Sequence, residues 1–222
     1  MFDGIAPRYD LLNRLMSFGA DRRWRRAAAS ALALRPGATV LDLATGTADL
    51  AIEIARTWPG SSIIALDPSS RMLDVARKKV VRAGLSQRIR LVRGRAEDLP
   101  FRDEKVDGCT MAFGIRNIVD RSRALAETAR ATATTGRIVI LELSEPDGVL
   151  GALARLHIRR IVPRLGAFLS GAREYRYLRE SIAAFPTPGE FAALMGRSAL
   201  HVQDVLPLTF GVCHLYVGRP AR

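Results

Sequence analysis

Gly46, Asp67, Arg116 and Asn117 each stand just past an apolar, strand-like run. In an open parallel sheet that is the edge from which side chains meet ligands. Thr45-Gly46-Thr47 forms a turn between the apolar run Thr39–Ala44 and the helically spaced run Asp49–Ala55. A glycine at such a turn lets a ligand come close to the backbone. About 20 residues further on, Asp67 closes the next strand, the spacing of a nucleoside-binding βαβ unit. Its two carboxylate oxygens suit the two hydroxyls of a ribose. The G-x-G-x-x-G run that cradles a pyrophosphate is absent, and Ala48 stands where another glycine would be. That disfavours NAD and ATP and favours a nucleoside cofactor without phosphates, S-adenosylmethionine foremost. The plain alternative is a glycine turn that only fits a helix against a strand.

The elements that must position these residues alternate. Strands are expected at 39–44, 62–66, 89–92, 106–113 and 137–143, with helices at 49–55, 69–83 and 121–133 between them. This alternation predicts an α/β fold, a doubly wound, mostly parallel sheet covered on both faces. Residues 1–35 are expected to be a helical cap with a break near Gly19, and 36–144 the cofactor-binding core. Residues 145–200 carry helical spacing, with Leu150, Leu153, Ile158 and Ile161 on one side and Arg155 and Arg159 opposite. They form a helical insertion suited to a substrate or lid role. Two runs, 201–206 and 210–217, close the chain as an antiparallel edge, so the expectation is one domain over 1–222.

Length and composition bound the rest. The 222 residues are 48% hydrophobic, enough for a real core, and contain no apolar run long enough to span a membrane. The N-terminus lacks the pattern of a signal peptide, and the two cysteines, Cys109 and Cys213, make no disulfide framework or metal cluster. No metal ligand set is expected, and the cytoplasm is the expected compartment. The net charge is +12, and all but three of the 34 basic residues are arginine. They cluster at 22–26, 71–95 and 155–179. A solvated surface, a nucleic acid or an anionic membrane would each accept them.

Longer motifs are more specific. Phe2–Asp10, Leu41–Leu50, Leu66-Asp67, Leu99-Pro100-Phe101, Phe113-Gly114-Ile115-Arg116-Asn117 and Tyr175–Ile182 together resemble the menaquinone/ubiquinone biosynthesis C-methyltransferases, nearly end to end. The resemblance implies the class I methyltransferase fold, a Rossmann-like seven-stranded sheet with an antiparallel edge strand. It also implies S-adenosyl-L-methionine as cofactor and a prenylated quinol, such as demethylmenaquinol, as substrate. By position it assigns Asp42, Gly46, Thr47, Asp67 and the pair Arg95-Ala96 to cofactor binding. Three positions depart from the family's habit: Ala48 for Gly, Arg95 for Asp or Asn, and Ala112 for Ser. Arg95 has no acceptor for an adenine amine, so Glu97, Asp98 or the backbone must supply it. These departures also leave room for another phenolic or polyketide substrate.

Methylation of a quinol carbon needs alignment of nucleophile, methyl and sulfur, and an adjacent hydroxyl that loses its proton. Arg116 stays protonated, so its expected role is to stabilise a phenolate or hold a water, with Asn117 orienting that water or a quinol oxygen. The alternative is an ion pair with an acid such as Asp120. Tyr9 would cover the cofactor. Of Tyr175 and Tyr177 at most one faces the quinone, because residues at i and i+2 do not share a helix face. Of the three histidines only His157 is a candidate base, and both cysteines are expected in the core. The basic clusters at 22–26 and 155–179 suit an anionic bilayer holding the prenyl tail, which puts the protein at the inner face of the cell membrane. An RNA methyltransferase is disfavoured, since no Asn/Asp-Pro-Pro-Tyr or catalytic cysteine motif is present, and no nucleic-acid partner is expected. A homodimer is left open, as is a non-catalytic protein on the same fold.

Overall fold

The computed structural model describes residues 10, 13–14, 17–145 and 172–221. Helix α1 (Ala20–Ala31) starts where Gly19, at φ 76°, breaks the preceding turn. Strand β1 (Thr39–Leu43) leads through the Thr45-Gly46-Thr47 turn to α2 (Asp49–Thr57). Ala48 begins that helix at φ 65°, a left-handed conformation that an L side chain adopts at a cost. Then follow β2 (Ser62–Asp67) and α3 (Ser70–Arg82), whose first turn is capped by Ser69 accepting from the Met72 amide at 3.1 Å. Strands β3 (Ile89–Arg93) and β4 (Val106–Ala112) come next. A 3-10 turn (Ile115–Asn117) precedes α4 (Arg121–Ala131), capped by Asp120.

Strand β5 (Thr132–Leu143) starts directly where α4 stops, five residues earlier than the expected Arg137. The β-branched run around Thr132 explains it: the Thr132 hydroxyl donates back to the Thr128 carbonyl at 2.7 Å while its backbone is already extended. Helix α5 (Ala172–Ala183) and helix α6 (Pro188–Arg197) lie within the segment expected to be a helical insertion; residues 146–171 fall outside the described residues. Thr187 and Glu190 form a capping box on α6, with Pro188 at the first position. Strands β6 (Leu200–Leu208) and β7 (Cys213–Pro220) complete the fold.

The seven strands lie in the order β3-β2-β1-β4-β5-β7-β6. The first five are parallel, and β7 runs antiparallel between β5 and β6, so the closing hairpin forms an antiparallel edge. Alternate residues of each strand feed two cores. Val40, Ile63, Val139 and Val217 pack with α1, α2 and α3 on one face. Leu41, Leu43, Ile138, Ile140 and Tyr216 pack with α4 and α6 on the other. Both cysteines are buried in these cores, as their strand positions required. The chain reverses its direction of growth across the sheet between β1 and β4, and ligands of open α/β sheets bind at that switch point.

The antiparallel edge is held by α6 through one aromatic stack. Phe191, fully buried, lies 4.8 Å from Tyr216 edge-on and 5.0 Å from Phe185, centroid to centroid. Phe191→Ala is expected to cost about 3–5 kcal/mol in urea unfolding; a loss below about 1 kcal/mol would show that α6 does not hold the edge.

Candidate active site

A cleft of about 250 Å³ opens at the carboxyl ends of β1, β2 and β4. Asp67 organises it. One carboxylate oxygen accepts the Gly46 amide at 2.8 Å, and the other accepts the Ser69 amide at 2.9 Å. The loop after β1 and the turn after β2 are therefore tied to one side chain. On the opposite wall the chain leaves β4 through Phe113, held at φ 57° with its amide on the Leu141 carbonyl at 2.8 Å. Gly114 follows because nothing larger fits: an added Cβ would lie 2.6 Å from the Ala44 Cβ.

A smaller pocket continues past the glycine loop and shares Ala44, Gly46, Ala112 and Phe113 with the cleft. Asp42 is on its wall, 1% exposed, and accepts the hydroxyls of Thr45 at 2.5 Å and Thr110 at 2.7 Å. Burial outweighs these bonds and pushes its carboxyl up to about 6. Thr47 is also on this wall. Its hydroxyl donates to Asp10 at 2.6 Å and accepts from Lys79 at 3.0 Å, and Lys79 pairs with Asp10 and Asp49 as well. Thr47 thus fastens the N-terminal segment to the loop. Lys79 belongs to the basic block at 71–95. Arg88 of the same block donates to the Trp58 and Ser61 carbonyls. Two of its cations are therefore structural braces.

The Arg95-Ala96 pair forms the far wall. Ala96 is buried, whereas the exposed Arg95 guanidinium bonds Glu97 at 2.9 Å. Glu97 itself lines the cleft, and Arg123 donates to its carbonyl at 2.7 Å, whereas Asp98 is not among the residues that line it.

Arg116 is not on the cleft wall among the described residues. Its guanidinium pairs with the fully buried Glu142 at 2.5 Å and donates to the Phe113 carbonyl at 2.8 Å, while its own amide donates to Glu142 at 3.2 Å. The acid is Glu142 and not Asp120, which caps α4. Sequence reading overlooked Glu142; the signal was a carboxylate in the otherwise apolar Ile138–Leu143 run. Asn117 does line the cleft. Its amide nitrogen donates to the Phe113 carbonyl at 3.3 Å and its oxygen accepts the Tyr177 hydroxyl from α5 at 3.0 Å. Tyr9, His157 and the Tyr175 side chain lie outside the described residues. His201 is exposed, and the His214 ring nitrogen Nδ1 meets the Ser144 hydroxyl at 2.6 Å.

The site fits a phosphate-free nucleoside. The Asp67 carboxylate faces the cleft, an acceptor stands at Glu97, and the glycine loop presents backbone without a phosphate cradle. Sheet order and site together define a class I S-adenosylmethionine-dependent methyltransferase. The fold agrees with solved structures at low identity. A chain of the complex between the Haloferax volcanii Trm112 methyltransferase activator and its methyltransferase partner superimposes at TM-score 0.72 with 20% identity, covering 100% of this chain and 98% of that one. An S-adenosylmethionine-dependent methyltransferase from Aquifex aeolicus gives 0.65 with 17% identity over 87% and 88%. The chain belongs to the ubiE/COQ5 methyltransferase family, whose model matches residues 1–219. It is 44% identical to the demethylmenaquinone methyltransferase of Thermus thermophilus, over 98% of this chain and 99% of the relative. It is equally 44% identical to the ubiquinone/menaquinone biosynthesis C-methyltransferase UbiE of Syntrophotalea carbinolica, over 98% and 92%.

Two measurements follow from the carboxylates. Below its ordinary value of 3.8, Asp42 is protonated in both folded and unfolded chains; as pH rises to about 6 only the unfolded chain ionises, so stability falls. Asp42→Asn removes that loss, worth about 3 kcal/mol at most. Urea unfolding is therefore expected to show the variant gaining on the wild type between pH 4 and 6 and running parallel above; a constant difference across that range would contradict it. Asp67→Ala removes the carboxylate that both loop amides share, and calorimetry is expected to show S-adenosylhomocysteine binding weakened at least ~10-fold. Unchanged affinity would remove Asp67 from the cofactor site.

Proposed function

We propose that the protein methylates a ring carbon of a prenylated quinol, converting demethylmenaquinol to menaquinol. The observation that carries this reading is the full-length likeness to the Thermus relative named demethylmenaquinone methyltransferase. When bound, S-adenosylmethionine supplies an electrophilic methyl whose leaving group is neutral, so no acid is required.

Asp67 holds the ribose and Glu97 the adenine end, while the fixed glycine loop and Phe113 set how far the ligand reaches toward β4. Asn117 is the polar group at that reach. One amide hydrogen is committed to the Phe113 carbonyl, which leaves the second to hold the quinol oxygen as its proton departs. Tyr177 occupies the amide oxygen, fixing which end of Asn117 faces the substrate. Arg116 acts one step back, as a positioning residue. Its buried pair with Glu142 locks the 3-10 turn that carries Asn117. Phe113 and Ile118, both on the cleft wall, limit water at the reacting carbon.

The membrane part of this reading rests on the substrate's tail and on exposed side chains. Arg22 and Arg23 of α1 face solvent, and Phe18 and Phe210 are more than half exposed. Among the described residues no helix is long and apolar enough to cross a membrane. A peripheral protein drawing quinol from the inner leaflet fits these features.

Purified protein given demethylmenaquinol in detergent and S-adenosylmethionine is expected to add one methyl to the ring, read by mass spectrometry. Asn117→Ala should lower kcat about 100-fold, with S-adenosylhomocysteine affinity nearly retained. A protein that binds S-adenosylhomocysteine yet methylates no quinol would refute the substrate assignment.

A further inference from the structure

We propose that Arg25, on the cap helix α1, is the counter-ion for the carboxylate at the amino-acid end of the cofactor. The proposal rests on the cofactor assignment above and concerns a different part of the same ligand. The nucleoside end belongs to the main cleft, between Asp67 and Glu97. The smaller pocket adjoins it across Gly46 and Phe113, two of the four residues that both spaces share. A ligand whose ribose sits on Asp67 and whose base lies toward Glu97 must send its 5′ substituent the other way, into that pocket.

The pocket is small, about 20 Å³, and carries charges of both signs. Arg25 and Asp42 are both buried on its walls, 7% and 1% exposed, so charges of both signs stand in little solvent. Arg25 is firmly aimed. One terminal nitrogen is bonded to Asp21, one turn back on α1, and the guanidinium carbon lies 5.5 Å over the Phe113 ring. The other terminal nitrogen comes only to within 3.9 Å of an Asp49 oxygen, beyond hydrogen-bond reach. Lys79 already pairs with Asp49, so that acid is compensated without Arg25. Among the described residues that nitrogen has no hydrogen bond, so this edge of the guanidinium is open to the pocket, where a carboxylate can take it as a charge-assisted partner. Asp42, ionised above about pH 6, stands on the same pocket to meet the ammonium. The cap helix and the sheet therefore read opposite ends of one ligand. The charged end is what separates S-adenosylmethionine and S-adenosylhomocysteine from shorter adenine thioethers.

A binding cycle isolates the contact. Calorimetry is run on the intact protein with S-adenosylhomocysteine, with its analogue lacking only the carboxylate, and with 5′-methylthioadenosine, which lacks the whole amino-acid end. Arg25→Met is expected to weaken S-adenosylhomocysteine about 10- to 100-fold and to change the other two less than about 2-fold. Arg25→Lys should restore part of the loss. Because Arg25→Met strands the buried Asp21, the cycle is repeated on Asp21→Asn/Arg25→Met, in which the whole pair is gone. On the unaltered protein the decarboxylated analogue should already bind ~10-fold or more weaker than S-adenosylhomocysteine. Equal losses for all three ligands, or no loss for S-adenosylhomocysteine, would overturn the role of Arg25. Failure of the unaltered protein to bind S-adenosylhomocysteine at all would instead overturn the cofactor assignment.

Discussion

One carboxylate governs the geometry of the carboxyl edge. Asp67 accepts the amide of Gly46 and the amide of Ser69, so the two turns that flank the cleft are fixed relative to each other by a single side chain. Leaving a backbone amide unpaired there would cost about as much as such a bond contributes. The glycine loop can then keep its unusual path, with Ala44, Gly46 and Ala48 all at positive φ. The opposite wall depends on a similar constraint. Phe113 is left-handed and Gly114 abuts Ala44, so the turn carrying Arg116 and Asn117 is pressed against the first loop. Backbone strain of this kind persists only where surrounding contacts over-determine it.

That frame explains why charged residues far apart in the sequence behave as one assembly. Asp10, Thr47, Lys79 and Asp49 join the N-terminal segment, the glycine loop, α2 and α3, and Arg25 continues the series into α1. On the other side of the cleft Glu142 gathers three donors: the Arg116 side chain and the amides of Arg116 and Leu143. A buried pair of this type adds little net stability but is costly to break. Its value here is orientation. It holds the short turn from which Asn117 faces the cleft, and Tyr177 completes the hold from α5.

Much of this was legible in the residues. Apolar runs and their spacing gave the parallel strands and the glycine turn, and the position of Asp67 followed from the end of β2. The start of β5 was not legible, because Ala131 and Thr132 carry no turn signal and the Thr132 hydroxyl bond is a local choice between helix and strand. The ion-pair partner of Arg116 was not legible for a different reason. A motif shows that an arginine stands beside the site, and only the sheet shows that Glu142 of a neighbouring strand lies under it. Long-range ion pairs are invisible in one sequence. The same holds for Lys79, a cation of the basic block at 71–95 that the fold brings to Asp10 and Asp49.

The central claim is that the cleft between Asp67 and Asn117 seats the cofactor and presents its methyl toward the turn after β4. A crystal structure of the complex with S-adenosylhomocysteine tests it most directly. The account predicts the ribose hydroxyls on the Asp67 carboxylate, the adenine beside Ala96 and Glu97, and the sulfur facing the Phe113–Asn117 turn. A nucleoside bound elsewhere on the sheet, or one that leaves Asp67 without contact, would contradict it.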